Sequence, residues 1–216
     1  SSAASDVYKR QTKDILTSKA FENAMIVHAA CGGSTNLILH LPAVAHAVKE
    51  NIMKVEDWIR INKLTPRLVD VLPNGPKGFP TSVFFSSGGV PEVMLKLRDE
   101  GLLNLDVITS TGLTLKENLD WWEQSEKRDF VRKQLRNTRN IDPEDVVHSL
   151  KNSKKKNMTS TVTFPKGNIS PEGSVVNSTA IDKSVIDDDG VYRKIGPARI
   201  FISEADAIKA VKDKGE

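Results

Sequence analysis

FENAMIVHAACGGSTNLILHLPAVAHA, residues 21–47, holds two helical patterns joined at a glycine pair. In the first, Ala24, Val27, Ala30 and Cys31 recur at helical spacing, and Gly32-Gly33 ends the run. Ser34 or Thr35 then stands where a helix cap is wanted, and a second helix is predicted over 36–49. Its apolar face would be Leu37, Leu41, Val44, Ala45 and Val48. Pro42 lies well inside it, removing one backbone bond and crowding the preceding turn, so a kink is expected there.

Outward from this pair, the pattern stays helical up to about residue 150. A short helix is predicted over 55–63, anchored by Trp58 and Ile59 and stopped at Thr65-Pro66. Residues 72–80 are rich in Pro and Gly and read as a loop. After Gly88-Gly89, Pro91 suits the first turn of a helix reaching Glu100, with Gly101 as its cap. Residues 106–111 are short and β-branched, a predicted strand. Thr114 and Glu117 have capping-box spacing and open a helix carrying Leu115, Leu119 and Trp122, predicted to run to about Arg136. Asp142-Pro143 starts one more short helix.

Residues 151–157, KNSKKKN, carry four lysines and no apolar residue, and read as a solvated linker. Beyond them, 161–164, 174–178, 191–194 and 198–202 read as strands punctuated by Gly and Pro, and Ser203 with Asp206 opens a last helix to about Lys212. The expected fold class is therefore α/β, mainly helical at first, followed by a β-rich part that begins at about 161. No internal repeat is found.

Composition excludes some functions. The 216 residues are 38% hydrophobic and 27% charged, which suits a folded core. A net charge of +3 gives no argument for nucleic acid. No apolar run approaches the roughly 20 residues of a membrane span. The single cysteine, Cys31, excludes an internal disulfide and fits a reducing cytoplasm.

Gly32, Gly33, Ser34, Thr35 and Asn36 form the sharpest local motif. Glycines let a ligand approach the backbone, and a helix start offers N–H groups and partial positive charge to a carboxylate or phosphate. The plainer reading is a tight helix–helix turn with a hydroxyl cap. The Gly-Lys-Ser/Thr ending of a phosphate-binding loop is missing. Cys31 has no second thiol with which to share a metal or cluster, and reads as a small buried hydrophobe. His28, His40, His46 and His148 show no metal-ligand spacing and read as core-edge histidines. Asp187-Asp188-Asp189-Gly190 reads as a hairpin turn, since its acids are consecutive where a calcium loop alternates them. Trp121-Trp122 reads as core plus surface.

The ordered series of motifs resembles one family. The 21–47 stretch is similar to the Gly-Gly-Ser-Thr-Asn segment of the iron–sulfur dihydroxy-acid and sugar-acid dehydratases. The similarity continues through Thr65-Pro66-Arg67-Leu68, Gly88-Gly89-Val90-Pro91, Thr111-Gly112-Leu113-Thr114 and Glu117-Asn118-Leu119. After the basic run it resumes at GNISPEGSVV, from Gly167, and at GPARIF, from Gly196. Pro42, Leu72-Pro73-Asn74-Gly75-Pro76, Glu92-Val93-Met94-Leu95 and Trp121-Trp122-Glu123 look like the sugar-acid branch, the bacterial D-xylonate dehydratases.

The resemblance implies loss of water from a 2,3-dihydroxy acid to give a 2-keto-3-deoxy acid. In this family a cluster iron polarises the leaving 3-hydroxyl, magnesium holds the carboxylate side, and a serine alkoxide takes the C2 proton. The family's cluster cysteines and most magnesium ligands lie upstream of the Gly-Gly-Ser-Thr-Asn segment, and the serine base lies downstream. None maps onto a residue here, so no catalytic or metal-binding residue is expected in this chain, and no cluster or magnesium is expected to be bound by it alone. The resemblance implies an internal piece of such an enzyme: 12–150 the later part of an N-terminal α/β domain, 151–160 a basic linker, and 161–216 the start of a β-barrel-like C-terminal domain. Residues 1–11, SSAASDVYKRQ, match nothing in that pattern and read as a translated sequencing adapter or, alternatively, a native tail. Gly32 to Asn36 would line the site between the domains and bind a small sugar acid. The family's habit implies a homo-oligomer; cytoplasmic location and the lack of nucleic-acid or membrane partners are the expectations from composition above.

Overall fold

The first long helix sets the frame. Thr17 accepts the Ala20 N–H through its side chain and starts it, and Gly32, at φ +63°, ends it. In the computed structural model, which describes residues 11–51 and 53–213, this helix is α2 (Ser18–Cys31), preceded by α1 (Thr12–Ile15). There follow α3 (Leu37–Ala47), α4 (Val55–Leu64), α5 (Thr81–Ser86), α6 (Gly89–Asp99), α7 (Leu115–Glu123), α8 (Glu126–Arg139) and α9 (Leu150–Lys155). The paired strands are β1 (Val162–Thr163) and β2 (Val176–Asn177), and α10 (Glu204–Lys212) comes last. The expectation for residues 1–11 falls, but for Gln11, outside the described residues. Two compact units result, Ser1–Ala180 and Ile181–Glu216.

The first unit is built around α2, which packs against α3, α4 and α6. Its deepest stripe is Phe21, Met25 and Ala29, one turn apart, with Ile26 and Ala30 beside it. Of the expected stripe, Ala30 is fully buried, while Ala24, Val27 and Cys31 are half-buried, because the deepest face lies on the 21–25–29 row. On α4 the anchors are Trp58 and Ile61 rather than Ile59: a step of three keeps both on the face toward α2. Val44, expected inside, is exposed, and Leu39 is 73% exposed; α3 buries only Ala45 fully. Pro42 does sit inside that helix.

Other departures have local causes. The predicted 106–111 strand is a loop that doubles back at Gly112 (φ +86°), leaving one bridge, Ile108 to Thr114. The helix expected to run from 115 to 136 is two helices, because Ser125 takes the Arg128 N–H and caps a new one. The basic run is helical over Leu150–Lys155, where Ser149 caps and the buried Ser153 hydroxyl donates to the Arg67 carbonyl. Of the four strands expected after it, the first two survive as the antiparallel β1–β2 pair, Val162 opposite Asn177. In the second unit, residues 191–194 contribute only the Ile186–Tyr192 bridge and 198–202 form no strand; Ile195, Ile200 and Ile202 are 87–100% exposed, with no ladder to join. The acidic turn behaves as expected: Asp187 and Val191 pair across Gly190, at φ +78°. Ser203 caps α10 at the Asp206 N–H.

The capping box opening α7 is complete. The Thr114 hydroxyl accepts the Glu117 N–H at 3.2 Å, and the Glu117 carboxylate accepts the Thr114 N–H at 2.7 Å. Thr114→Ala is expected to lower stability by about 1 kcal/mol. A urea titration followed by circular dichroism checks this; a loss within error of zero would show that Glu117 alone secures the helix start.

Candidate functional site

The glycine pair lets the chain leave α2 and fold back over that helix's own last turn. The Gly33 N–H donates to the His28 carbonyl at 2.9 Å. Gly33 lies flat on the His28 imidazole: a Cβ there would meet ring carbon Cδ2 at 2.3 Å. A Cβ on Gly32 would meet Thr161 at 3.0 Å and the Arg67 stem at 3.2 Å, besides forcing an L-residue to φ +63°. Both glycines are therefore needed by close approach.

The next three residues are exposed. The Ser34 hydroxyl accepts the Asn36 N–H at 3.3 Å. The Leu37 and Ile38 N–H groups donate to the Ser34 and Thr35 carbonyls at 3.2 and 3.1 Å, a tight 3₁₀-type start to α3. The N–H groups at the start of α3 are thus used within the turn itself, and the side chains it exposes are two hydroxyls and the Asn36 amide.

Beneath the turn lies a polar cluster that sequence reading did not single out. Arg67 is buried, and one guanidinium nitrogen donates to the Asn74 carbonyl. Burial pulls the Arg67 pKa down, and the nearby Asp70 charge opposes that. The Asn74 amide donates to the Gly32 carbonyl at 2.9 Å, and its oxygen accepts the Thr179 hydroxyl at 2.6 Å. Asp70, wholly buried, accepts the N–H groups of Lys77 and Gly78 at 2.9 and 3.0 Å and so folds the 72–80 loop around itself. The Leu68 N–H donates to the Ala30 carbonyl at 2.8 Å, joining this segment to the end of α2. Arg67 and Asn74 stand in two of the motifs that carry the resemblance, but nothing in the sequence couples them to each other or to Asp70.

Two of the four histidines are buried, His28 and His148; His40 and His46 are exposed. Burial pushes the pKa of both buried rings below the ordinary imidazole value; for His148 the Lys156 charge adds to this and the Asp70 charge opposes it. Burial pushes the Cys31 thiol up to about 12, which favours the protonated form. Among the described residues no group of three or more His, Cys, Asp or Glu is arranged to hold a metal ion. With one thiol and no such carboxylate group, the described residues do not fit an iron–sulfur cluster or a magnesium ion. Trp121 is exposed while Trp122 packs on the core, as their pairing suggested.

Residues 2–118 match the family described as dihydroxy-acid/6-phosphogluconate dehydratase N-terminal. The chain belongs to this family. It is 58% identical over 201 residues to the D-xylonate dehydratase YagF of Escherichia coli (strain K12), and 57% identical over 201 residues to D-xylonate dehydratase YjhG of the same organism. A dihydroxy-acid dehydratase of Picrophilus torridus is 37% identical over 201 residues. Each of these matches covers 93% of this chain and 31% of the relative, so the chain spans about a third of the length of the curated relatives it matches. The family match takes in the Gly32–Asn36 turn and all of α2 to α6.

Proposed function

We propose that this chain is a segment of a hydro-lyase that dehydrates an aldonic acid such as D-xylonate to the 2-keto-3-deoxy acid. The observation that carries this reading is the gap in identity: 58 and 57% to two D-xylonate dehydratases against 37% to a dihydroxy-acid dehydratase, over equal lengths. In this reading the Ser34 and Thr35 hydroxyls and the Asn36 amide bind the polyol or carboxylate of the sugar acid. In this reading the ligands of the cluster and the magnesium, and the base, come from parts of the enzyme beyond this chain, which spans about a third of the length of its relatives. The C-terminal unit, with its bare Ile195, Ile200 and Ile202, belongs to a β-rich C-terminal domain. The partners are a small sugar acid and further copies of the enzyme in the cytoplasm, with no nucleic acid. No helix among the described residues is long and apolar enough to cross a membrane.

A chimera tests this directly. Residues 12–213 replace the aligned stretch of E. coli YagF, and the purified, cluster-loaded protein is assayed with D-xylonate and with a branched 2,3-dihydroxy acid. D-xylonate is expected to be the better substrate. A folded, loaded chimera that prefers the branched acid would overturn the assignment. In the same chimera, Ser34→Ala with Thr35→Ala is expected to lower kcat/KM about tenfold, the size of one lost hydrogen bond to a charged group. Unchanged kinetics would remove the turn from the substrate site.

A further inference from the structure

We propose that His28 is a positioning residue for the Gly32–Asn36 turn: as its Nε2–H tautomer it fixes the Ser34 carbonyl and so sets where the Ser34, Thr35 and Asn36 side chains face. This deepens the proposed function and rests on that reading of the turn.

The tautomer follows from the partners. His28 Nε2 lies 2.8 Å from the Ser34 carbonyl oxygen. A carbonyl only accepts, so Nε2 must carry the hydrogen. Nδ1 is buried and has no hydrogen-bond partner. A hydrogen there would be an unsatisfied buried donor, whereas a bare lone pair costs less. The same bookkeeping disfavours the doubly protonated ring, and burial lowers the pKa in that direction.

The ring has little freedom to move. Trp58, 1% exposed, meets it edge-on, with centroids 5.5 Å apart and planes at 82°. Gly33 closes the other side, within a Cβ radius of Cδ2. His28 also accepts the Gly33 N–H through its own carbonyl. One residue thus holds the turn from two directions: its backbone holds the glycine and its side chain holds the serine. The serine carbonyl in turn accepts the Leu37 N–H that starts α3. The exposed hydroxyls therefore sit on a turn whose position is set by a buried ring with its orientation locked.

Two measurements test this. In the purified 216-residue chain, long-range proton–nitrogen correlation of labelled histidine is expected to show His28 with a protonated Nε2 and a bare Nδ1. In the YagF chimera, His28→Phe keeps the ring's bulk and removes the donor, and is expected to lower kcat/KM for D-xylonate at least tenfold, mainly through KM. His28→Gln, whose amide nitrogen reaches the same place, is expected to recover most of the loss. A protonated Nδ1, or a folded His28→Phe chimera as active as its parent, overturns the proposal. So does a Gln variant no better than Phe when both melt at the same temperature, since a merely structural role would leave them alike. If the unsubstituted chimera fails on D-xylonate while the tautomer is as stated, the functional reading has failed and not the geometry. If the Ser34/Thr35 double variant alone loses activity, His28 does not position them.

Discussion

Replacing Glu92 with alanine is expected to cost about 3–5 kcal/mol of folding stability. Glu92 lies on α6 with its carboxylate 1% exposed. One oxygen accepts from Arg128 Nε at 2.8 Å; the other accepts from Arg128 at 2.9 Å and lies 3.1 Å from Arg132. Arg132 is buried too, and it continues to Glu144 at 2.6 Å and to the Ser87 carbonyl at 2.8 Å. Lys96 closes the network on Glu144 at 2.9 Å. These bonds tie α6 and α8 to the Pro143–Asp145 turn. With Glu92 gone, two guanidinium groups lose their shared counter-charge where water does not replace it. The penalty is that of a stranded charge, which exceeds what the intact pair contributes over an apolar substitute. Urea unfolding of Glu92→Ala, compared with Lys116→Ala as an exposed control pair, checks this. A loss below about 1 kcal/mol would mean that the arginines reach solvent in the variant, as exposed pairs do.

That network also shows which part of the fold was readable. Glu92 stands in a motif that carries the resemblance, but its partners Arg128 and Arg132 lie 36 and 40 residues later, and no local pattern couples them. Signals confined to one turn are legible: Thr114 with Glu117, Ser203 with Asp206, Asp142 before Pro143, and Gly32 at the end of α2. Each is a donor meeting an acceptor within four residues, so the chain carries both halves side by side. Ser125 and Ser149 are caps of the same kind and were passed over, since charged surroundings masked them. Residues 151–157 look wholly solvated in sequence because the buried side chain among them, Ser153, bonds to Arg67, 86 residues away. The strands expected at 191–194 and 198–202 have the right residues, yet a strand exists only beside a partner, and among the described residues of their unit only the single Ile186–Tyr192 bridge forms. The candidate site divides in the same way. Its exposed turn was read from five consecutive residues. Its support by His28, Arg67 and Asn74 was not, because that support is tertiary.

Trp58→Ala is expected to cost about 3–5 kcal/mol, the range for emptying a buried aromatic site. The ring is 1% exposed and, with Ile61, forms the face of α4 that meets α2. A second consequence separates this cavity from an ordinary one. Trp58 is the edge-on wall of His28, and burial is the first cause of the lowered His28 pKa, with the Ser34 and Gly33 backbone contacts acting the other way. In the intact protein the folded ring resists a proton that the unfolded chain accepts, so stability from this group is present above about pH 6.5 and is lost as pH falls through that value. Opening the wall lets water reach Nδ1, and the folded pKa rises toward the unfolded one. Trp58→Ala should therefore be much less stable at pH 7.5, yet lose less on going to pH 5.5 than the intact chain does. His148, whose pKa is lowered in the same direction, titrates in both proteins and drops out of the difference. Urea titrations at the two pH values, followed by far-ultraviolet circular dichroism because a tryptophan is lost, give all four stabilities. An equal acid loss in both proteins would show that Trp58 packs the core without shielding His28.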